Sequence, residues 1–193
     1  MGRPSVKEER IEEILDAVQA CVVEHGLAGT TMARIAARAG MQPSAINHFI
    51  GTRDKVVEAA LERSTQYYEE LIDSIEQLPV AEILDRLVGA ASRRRSVRPE
   101  AMVLFDEMLT LAPRDARVAD RVRHAMTRLA DVIDRQLAVE HPDAATADRK
   151  AVATSTMLMI DNLERLVVIG VLPARSRSAV RRSIDALIGT LDD

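Results

Sequence analysis

The sequence is poor in aromatic residues and contains one cysteine. Its 193 residues include two tyrosines, two phenylalanines and no tryptophan. Proteins that bind single-stranded nucleic acid stack the bases on aromatic rings, so this scarcity argues against that class. The lone cysteine, Cys21, permits no disulfide within the chain and no cysteine-rich metal site. We therefore expect neither a metal ion nor another cofactor.

Long apolar runs are also missing from the chain. No stretch approaches the roughly 18 consecutive apolar residues that a membrane helix needs. No apolar segment resembling a secretory signal precedes the charged residues 7–10. We therefore expect no membrane association and an intracellular, cytoplasmic location. The net charge of −4 argues against a globally basic coat protein for nucleic acid.

Apolar residues recur at three- and four-residue spacing along nearly the whole chain, which is typical of amphipathic helices. The alternating pattern of a β-strand is not found. The spacing therefore predicts an all-α protein of about nine helices, with prolines and glycines at the joints. The predicted helices cover residues 5–25, 31–39, 43–50, 53–78, 80–95, 99–111, 114–139, 144–171 and 176–191.

Residues 31–49, TMARIAARAGMQPSAINHF, have the spacing of a helix-turn-helix. Ile35, Ile46 and Phe49 can face one small core, and Gly40 lies where the turn needs a positive φ angle. In this motif the second helix enters the major groove of DNA by its N-terminal end. An ordinary αα-hairpin with a glycine turn is the alternative interpretation of the pattern.

The segments around this motif resemble the TetR (tetracycline-repressor-like) family of bacterial transcriptional regulators. The resemblance spans about residues 10–61, and its matching segments are His25-Gly26, Thr30-Thr31-Met32, Ile35-Ala36, Arg38–Met41 and Ile46–Asp54. It implies a helix-turn-helix DNA-binding domain over residues 1–60 and a helical effector-binding and dimerisation domain over residues 61–193. The function implied is that of a ligand-responsive repressor, which binds a palindromic operator in double-stranded DNA as a homodimer and is released by a small-molecule effector of unknown identity.

Four side chains of the motif's second helix, at positions 42, 44, 47 and 48, are predicted to face outward when the apolar residues of that helix point inward. Pro43 fits the first turn of the same helix. Amides can pair with adenine, a hydroxyl can meet a base edge or a phosphate, and a proline ring can touch a thymine methyl group. The five candidates for reading the groove are Gln42, Pro43, Ser44, Asn47 and His48.

The resemblance also implies contacts to the DNA backbone. In the family, a hydroxyl opening helix two, an aromatic residue late in helix three and a lysine opening helix four commonly hold phosphates. Thr31 matches the first of these, and Arg53 keeps the charge of the third. Asn47 replaces the usual tyrosine, so it either gives up a phosphate contact or reads a base. His48 either reaches a phosphate or packs on helix one.

Helices eight and nine carry broad apolar faces and are predicted to form half of an intersubunit four-helix bundle, which is where the family dimerises. A buried helix beside an edge helix is the alternative. Helices four to eight are expected to enclose an effector cavity, in line with the family. Methionine suits an adaptable pocket, although it also commonly fills cores. The candidate lining residues are Tyr67, Met102, Phe105, Met108, Met126, Met159 and Asn162.

Charge is distributed unevenly around the motif. Residues 30–55 carry four cationic side chains against one acidic side chain, whereas helix one is acidic and is predicted to present a solvated face away from DNA.

We expect no enzymatic activity, because the chain has no HExxH, GxxxxGK[ST], GxSxG or GxGxxG motif. The alternative function is that of an all-α ligand-binding or interaction protein whose helix-turn-helix has decayed.

Overall fold

The structure is a computed structural model that describes residues 5–89, 100–168, 170–173 and 175–192, without the side chains of residues 89, 100–102, 164 and 168. In these ranges the regular structure consists of α-helices, and the predicted all-α class is confirmed there. The helices are α1 (Val6–Gly29), α2 (Met32–Ala39), α3 (Pro43–Phe49), α4 (Arg53–Ile75), α5 (Val80–Gly89), α6 (Glu100–Leu111), α7 (Ala116–Glu140), α8 (Thr146–Val168) and α9 (Ser176–Gly189).

Side chains cap the starts of two long helices. At the start of α1, the Glu8 amide donates to Ser5 Oγ over 3.3 Å, and the Ser5 amide donates to the Glu8 carboxylate over 2.7 Å. These bonds lower the pKa of Glu8. At the start of α7, Asp115 Oδ1 accepts from the amides of Arg117 at 2.9 Å and Val118 at 3.4 Å. Helix α7 therefore begins after Asp115 and not at the predicted residue 114.

Two glycines correct the predicted helix ends. Gly170 has a φ of 77°, and the amide of Leu172 donates to the carbonyl of Leu166. Because this left-handed turn closes the helix, α8 ends at Val168 and not at the predicted residue 171. Gly26 has a φ of 67° and kinks α1, which continues past the predicted stop as far as Gly29. In both places a residue with a Cβ atom is strained.

The chain divides into two compact units. The first comprises Met1–Glu69 and Arg98–Arg123, and the second comprises Glu70–Val97 and His124–Asp193. Helix α6 and the start of α7 therefore belong with the N-terminal helices. The division within α4 falls after residue 69. The functional boundary after residue 60 stays a prediction.

In the first unit, α1 packs against α2, α3 and α6 around an apolar core. Between α4 and α6, the rings of Tyr68 and Phe105 stack with centroids 4.3 Å apart and planes 6° from parallel. Beside this stack, the Thr65 hydroxyl lies 3.8 Å from the sulfur of Met108. The buried apolar residues include Ile14, Val18, Ile35, Ile46, Val56, Leu104, Phe105 and Met108.

In the second unit, α9 packs against α5 and α8. Arg181 of α9 pairs with Asp85 of α5. The Glu140 carboxylate at the end of α7 accepts from the amide of Val80, the first residue of α5, over 2.8 Å. The buried apolar residues include Ile75, Ile83, Leu84, Leu129, Ile133, Leu137, Ile160, Leu163 and Ile184. Across the described part of the chain, none of the helices combines the length and apolarity that crossing a bilayer requires.

The adjacent tyrosines of α4 provide a matched pair for testing the first unit. Tyr68 is 6% exposed and Tyr67 is 39% exposed. Replacing Tyr68 with Ala removes the ring stacked on Phe105, so we expect the free energy of unfolding to fall by about 3 kcal/mol. Replacing Tyr67 with Ala should cost about 1 kcal/mol or less. Urea denaturation measures both values, and equal losses would contradict the stacking geometry.

Candidate nucleic-acid interface

A left-handed glycine forms the turn between α2 and α3. Gly40 has φ 64° and ψ 29°, and its amide donates to the carbonyls of Ala36 and Ala37. The amide of Met41 donates to the carbonyl of Ala36 over 2.9 Å. These bonds satisfy carbonyls at the end of α2 and reverse the chain before Pro43. The sequence-based prediction of a positive φ at Gly40 is confirmed.

Helix α3 has one inner face and one outer face. The side chain of Ile46 is 0% exposed and anchors the helix. The four side chains predicted to face outward are exposed, and so is Pro43, whereas Ala45 and Phe49 are half-buried. The outward orientation is therefore confirmed, and contact of these side chains with DNA stays a prediction. The exposed residues are Gln42, Pro43, Ser44, Asn47 and His48.

The leading end of α3 presents an amide that the helix does not use. Gln42 is the N-cap residue, and its side chain makes no capping hydrogen bond. Pro43 follows in the first turn, where a missing N–H costs nothing. At the other end, the ring of His48 packs edge-on against Phe49, with centroids 5.6 Å apart. The exposed amide of Gln42 thus takes no part in capping α3.

Thr31 opens α2 and retains a hydrogen-bond donor. Its Oγ1 accepts from the amide of Arg34 over 3.3 Å, which caps the helix. Because the hydroxyl acts as an acceptor in this bond, its own hydrogen is available for another acceptor. The exposed side chain can therefore cap α2 and meet a phosphate oxygen at the same time.

Arg53 binds the protein's own backbone. Its Nε donates to the carbonyl of Thr30 and its Nη2 donates to the carbonyl of Leu27, both over 2.8 Å. A third nitrogen, Nη1, lies 3.3 Å from the carboxylate of Asp54. Thr30 is buried, and its hydroxyl donates to the carbonyl of Gly26 over 2.9 Å. Arg53 thereby ties the start of α4 to the connection between α1 and α2.

Sequence reasoning missed this role of Arg53, because its partners are backbone carbonyls more than 20 residues away. The general rule that applies here is that backbone carbonyls at the end of a helix need hydrogen-bond donors. A basic residue opening a later helix does not by itself reveal which carbonyls it meets.

The other basic side chains around the motif also have partners or packing contacts. Arg34 donates to the carbonyl of Gly29, and Arg38 pairs with Glu24 over 3.0 Å. The alkyl chain of Lys55 lies beside Gly51, where an added Cβ atom would be 2.9 Å from Lys55 Cδ. The cationic excess of residues 30–55 is therefore partly neutralised by Glu24 of α1.

The acidic face of α1 does more than contact solvent. Glu12 and Asp16 pair with Arg63 of α4 over 2.8 and 2.9 Å. The same guanidinium donates to the amide oxygen of Gln19, whose side chain is buried. The two carboxylates are exposed, as predicted, but they also hold α4 against α1.

The candidate effector-lining residues fall in different places. Phe105 and Met108 are buried in the first unit, and Tyr67 of the same unit is largely at its surface. In the second unit, Met126 is half-buried and Met159 is exposed. Asn162 is also exposed there, and its amide donates to the carbonyl of Leu158 one turn earlier. The side chain of Met102 lies outside the described part. A shared pocket for these residues stays a prediction.

Tyr68 was not singled out from the sequence, yet it is the tyrosine whose ring stacks on Phe105. The spacing of Leu61, Tyr68 and Ile72 along α4 contained this signal, because residues three, four or seven apart share a helix face.

Within the described ranges, no group of three or more His, Cys, Asp or Glu side chains could hold a metal ion. Cys21 is buried in the core of the first unit, and desolvation raises the pKa of its thiol.

The glycine turn can be tested with a second glycine as control. A Cβ atom added at Gly40 meets nothing within 4 Å, so Gly40→Ala acts through its φ of 64° alone. We expect it to lower the free energy of unfolding by about 1–2 kcal/mol. At Gly189 an added Cβ atom also meets nothing, and that glycine has no positive φ. Gly189→Ala should therefore leave stability unchanged or slightly raised in urea denaturation.

The bonds of Arg53 provide another stability test. Arg53→Ala leaves two carbonyls without their donor, so we expect the free energy of unfolding to fall by about 1.5–3 kcal/mol. Arg38→Ala removes an exposed ion pair and should cost at most about 1 kcal/mol. Urea denaturation without DNA compares the two variants, and a loss for Arg53→Ala no larger than that for Arg38→Ala would refute the backbone role.

The chain was compared with known families and curated proteins. Residues 14–60 match the family model described as "Bacterial regulatory proteins, tetR family". The HTH-type transcriptional regulator BetI from Paraburkholderia xenovorans is 33% identical over 61 residues, which are 32% of this chain and 31% of that protein. BetI from Burkholderia thailandensis matches with the same identity and coverage. The match thus spans about a third of the length of these relatives.

Solved structures are similar over nearly the whole chain. A TetR transcription regulator from Haloarcula marismortui has a TM-score of 0.74 at 21% identity, covering 94% of this chain and 97% of that chain. A protein described as a transcriptional regulator from Saccharomonospora viridis, in complex with choline, has a TM-score of 0.75 at 17% identity, covering 94% and 96%. At these identities the likeness concerns the fold. Residues 14–60 thus carry the helix-turn-helix of the TetR family of bacterial regulatory proteins, and the chain has the fold of solved TetR-like regulators.

Proposed function

We propose that the protein is a transcriptional regulator that binds double-stranded DNA through α3. The observation that carries this proposal is the outer face of α3, where polar side chains stand exposed on a helix anchored by the buried Ile46. The intact Gly40 turn also disfavours a decayed motif. TetR-family proteins are regulators and not enzymes, which agrees with the absence of catalytic motifs from the sequence.

Contacts to the DNA backbone flank α3 in this proposal. Thr31 is exposed and keeps its hydroxyl hydrogen for a phosphate oxygen while it caps α2. Arg53 has donors beyond those used on Leu27 and Thr30, because a guanidinium carries five N–H groups. It can therefore meet a phosphate without releasing the backbone. His48 stands exposed at the end of α3 and is the third candidate for such a contact.

Dimerisation through α8 and α9 is the next part of the proposal. Helix α8 buries Ile160 and Leu163 in its own unit, while Leu158 is 51% exposed and Met159 is 37% exposed. A helix that is apolar on more than one side can be covered by a second copy of the chain. A twofold dimer presents two copies of α3 to successive major grooves and thus fits a palindromic operator.

A small-molecule effector completes the proposal. Binding of the effector to one arrangement of the dimer lowers operator affinity, and operator binding lowers effector affinity by the same factor. The similar protein from Saccharomonospora viridis is in complex with choline. We do not propose choline as the effector of this chain. Quaternary ammonium groups are recognised on aromatic faces, and here the rings of Tyr68 and Phe105 are stacked on each other. A regulator of this kind acts in the cytoplasm, where bacterial DNA lies.

Binding to duplexes from the upstream region of the protein's own gene tests the DNA-binding proposal. Fluorescence anisotropy should show selective binding to an inverted repeat with a Kd of about 10⁻⁸ M or tighter, weakening steeply as salt increases. A duplex that keeps one half-site should bind more weakly, because one recognition helix of the dimer loses its site. Equal affinity for every duplex would refute sequence-specific regulation.

A matched pair of glutamine variants serves as the control. Gln42→Ala should weaken binding to the selected duplex by about 5- to 150-fold and relax the preference at one base pair. Gln66→Ala, an exposed position on α4, should bind as the unchanged protein does.

A further inference from the structure

The outer face of α3 is electrically neutral apart from one histidine. Between residues 42 and 49, the exposed side chains carry amide, hydroxyl, imidazole and pyrrolidine groups, and none is an arginine or a lysine. The major-groove edge of guanine presents two acceptors, which arginine or lysine reads best. The edge of adenine presents one acceptor and one donor, which a side-chain amide matches. The groups displayed by α3 therefore suit adenine better than guanine.

The nearby arginines already have partners within the protein. Arg34 is bonded to the carbonyl of Gly29, Arg38 to the carboxylate of Glu24, and Arg53 to two backbone carbonyls. If the guanidinium of Arg34 or Arg53 turned into the groove, it would leave carbonyls near a helix end without their donors. Cationic reading of guanine would thus weaken the frame that positions α3.

The spacing of the amides allows them to reach separate base pairs. Asn47 follows Pro43 by four residues and so lies on the same helix face. Four residues advance the helix by about 6 Å, and successive base pairs are about 3.4 Å apart. Gln42 is the exposed N-cap residue and precedes the first turn. The two amides can therefore contact separate base pairs of one half-site.

We propose that α3 selects operator half-sites by A·T base pairs, with the amides of Gln42 and Asn47 each pairing with N6 and N7 of an adenine. This inference depends on the proposed DNA-binding function and specifies its substrate. It also assigns Asn47 to base reading and not to the phosphate backbone.

Selection from a library tests the A·T inference. Its outcomes distinguish failure of this inference from failure of the proposed DNA-binding function. The full-length protein is used to select duplexes with two randomised, inverted half-sites, and Asn47→Ala is used in parallel. We expect A·T pairs to be enriched at two or more positions of each half-site and the preference at one of them to be lost in Asn47→Ala. Enrichment of G·C at the position that Asn47 controls overturns the A·T inference while DNA binding stands. Enrichment of no sequence overturns the proposed function itself.

A base analogue tests the contact to adenine directly. 7-Deazaadenine lacks the N7 acceptor, so placing it at the position controlled by Asn47 should weaken binding of the unchanged protein by about 5- to 150-fold. Asn47→Ala, which has already lost the partner, should change by less than about twofold on the same replacement. Gln66→Ala should respond as the unchanged protein does. Equal losses in the Asn47→Ala and unchanged proteins would show that Asn47 does not read adenine.

Discussion

The placement of α3 depends on the guanidinium of Arg53. The positive φ of Gly26 turns the chain at the kink in α1, and the carbonyls of Leu27 and Thr30 lie just beyond it. Arg53 provides donors for both of these carbonyls. Because α2 and α3 lie between Thr30 and Arg53 in the chain, these bonds close the loop that contains both helices. The buried Ile46 then sets the rotation of α3 about its axis.

Charged and uncharged side chains have different roles in the first unit. Arginines satisfy backbone carbonyls or pair with the acids of α1, as Arg38 does with Glu24 and Arg63 does with Glu12 and Asp16. The groups displayed by α3 are mostly uncharged and depend on shape and hydrogen-bond pattern for their effect. A frame held by charged contacts can thus present a recognition surface whose discrimination is not dominated by charge.

Local features of the molecule were predictable from the sequence, and long-range partners were not. Apolar spacing predicted the helices, and the need for a left-handed residue predicted the turn at Gly40. The outward-facing residues of α3 were predictable from the helical period alone. The partners of Arg53 could not be predicted. Every residue has a backbone carbonyl, so no sequence pattern marks the two that Arg53 binds. The choice between Tyr67 and Tyr68 depended on which one meets Phe105, a residue far along the chain.

The membership of α6 in the first unit affects how this chain can be recombined with a related one. The unit consists of two separate stretches of sequence, Met1–Glu69 and Arg98–Arg123. A fragment that stops within α4 omits α6 and leaves the apolar face of α1 that packs against it open to water. A single genetic crossover between these two stretches therefore divides this unit. A chimera that preserves its core must carry both stretches from one parent.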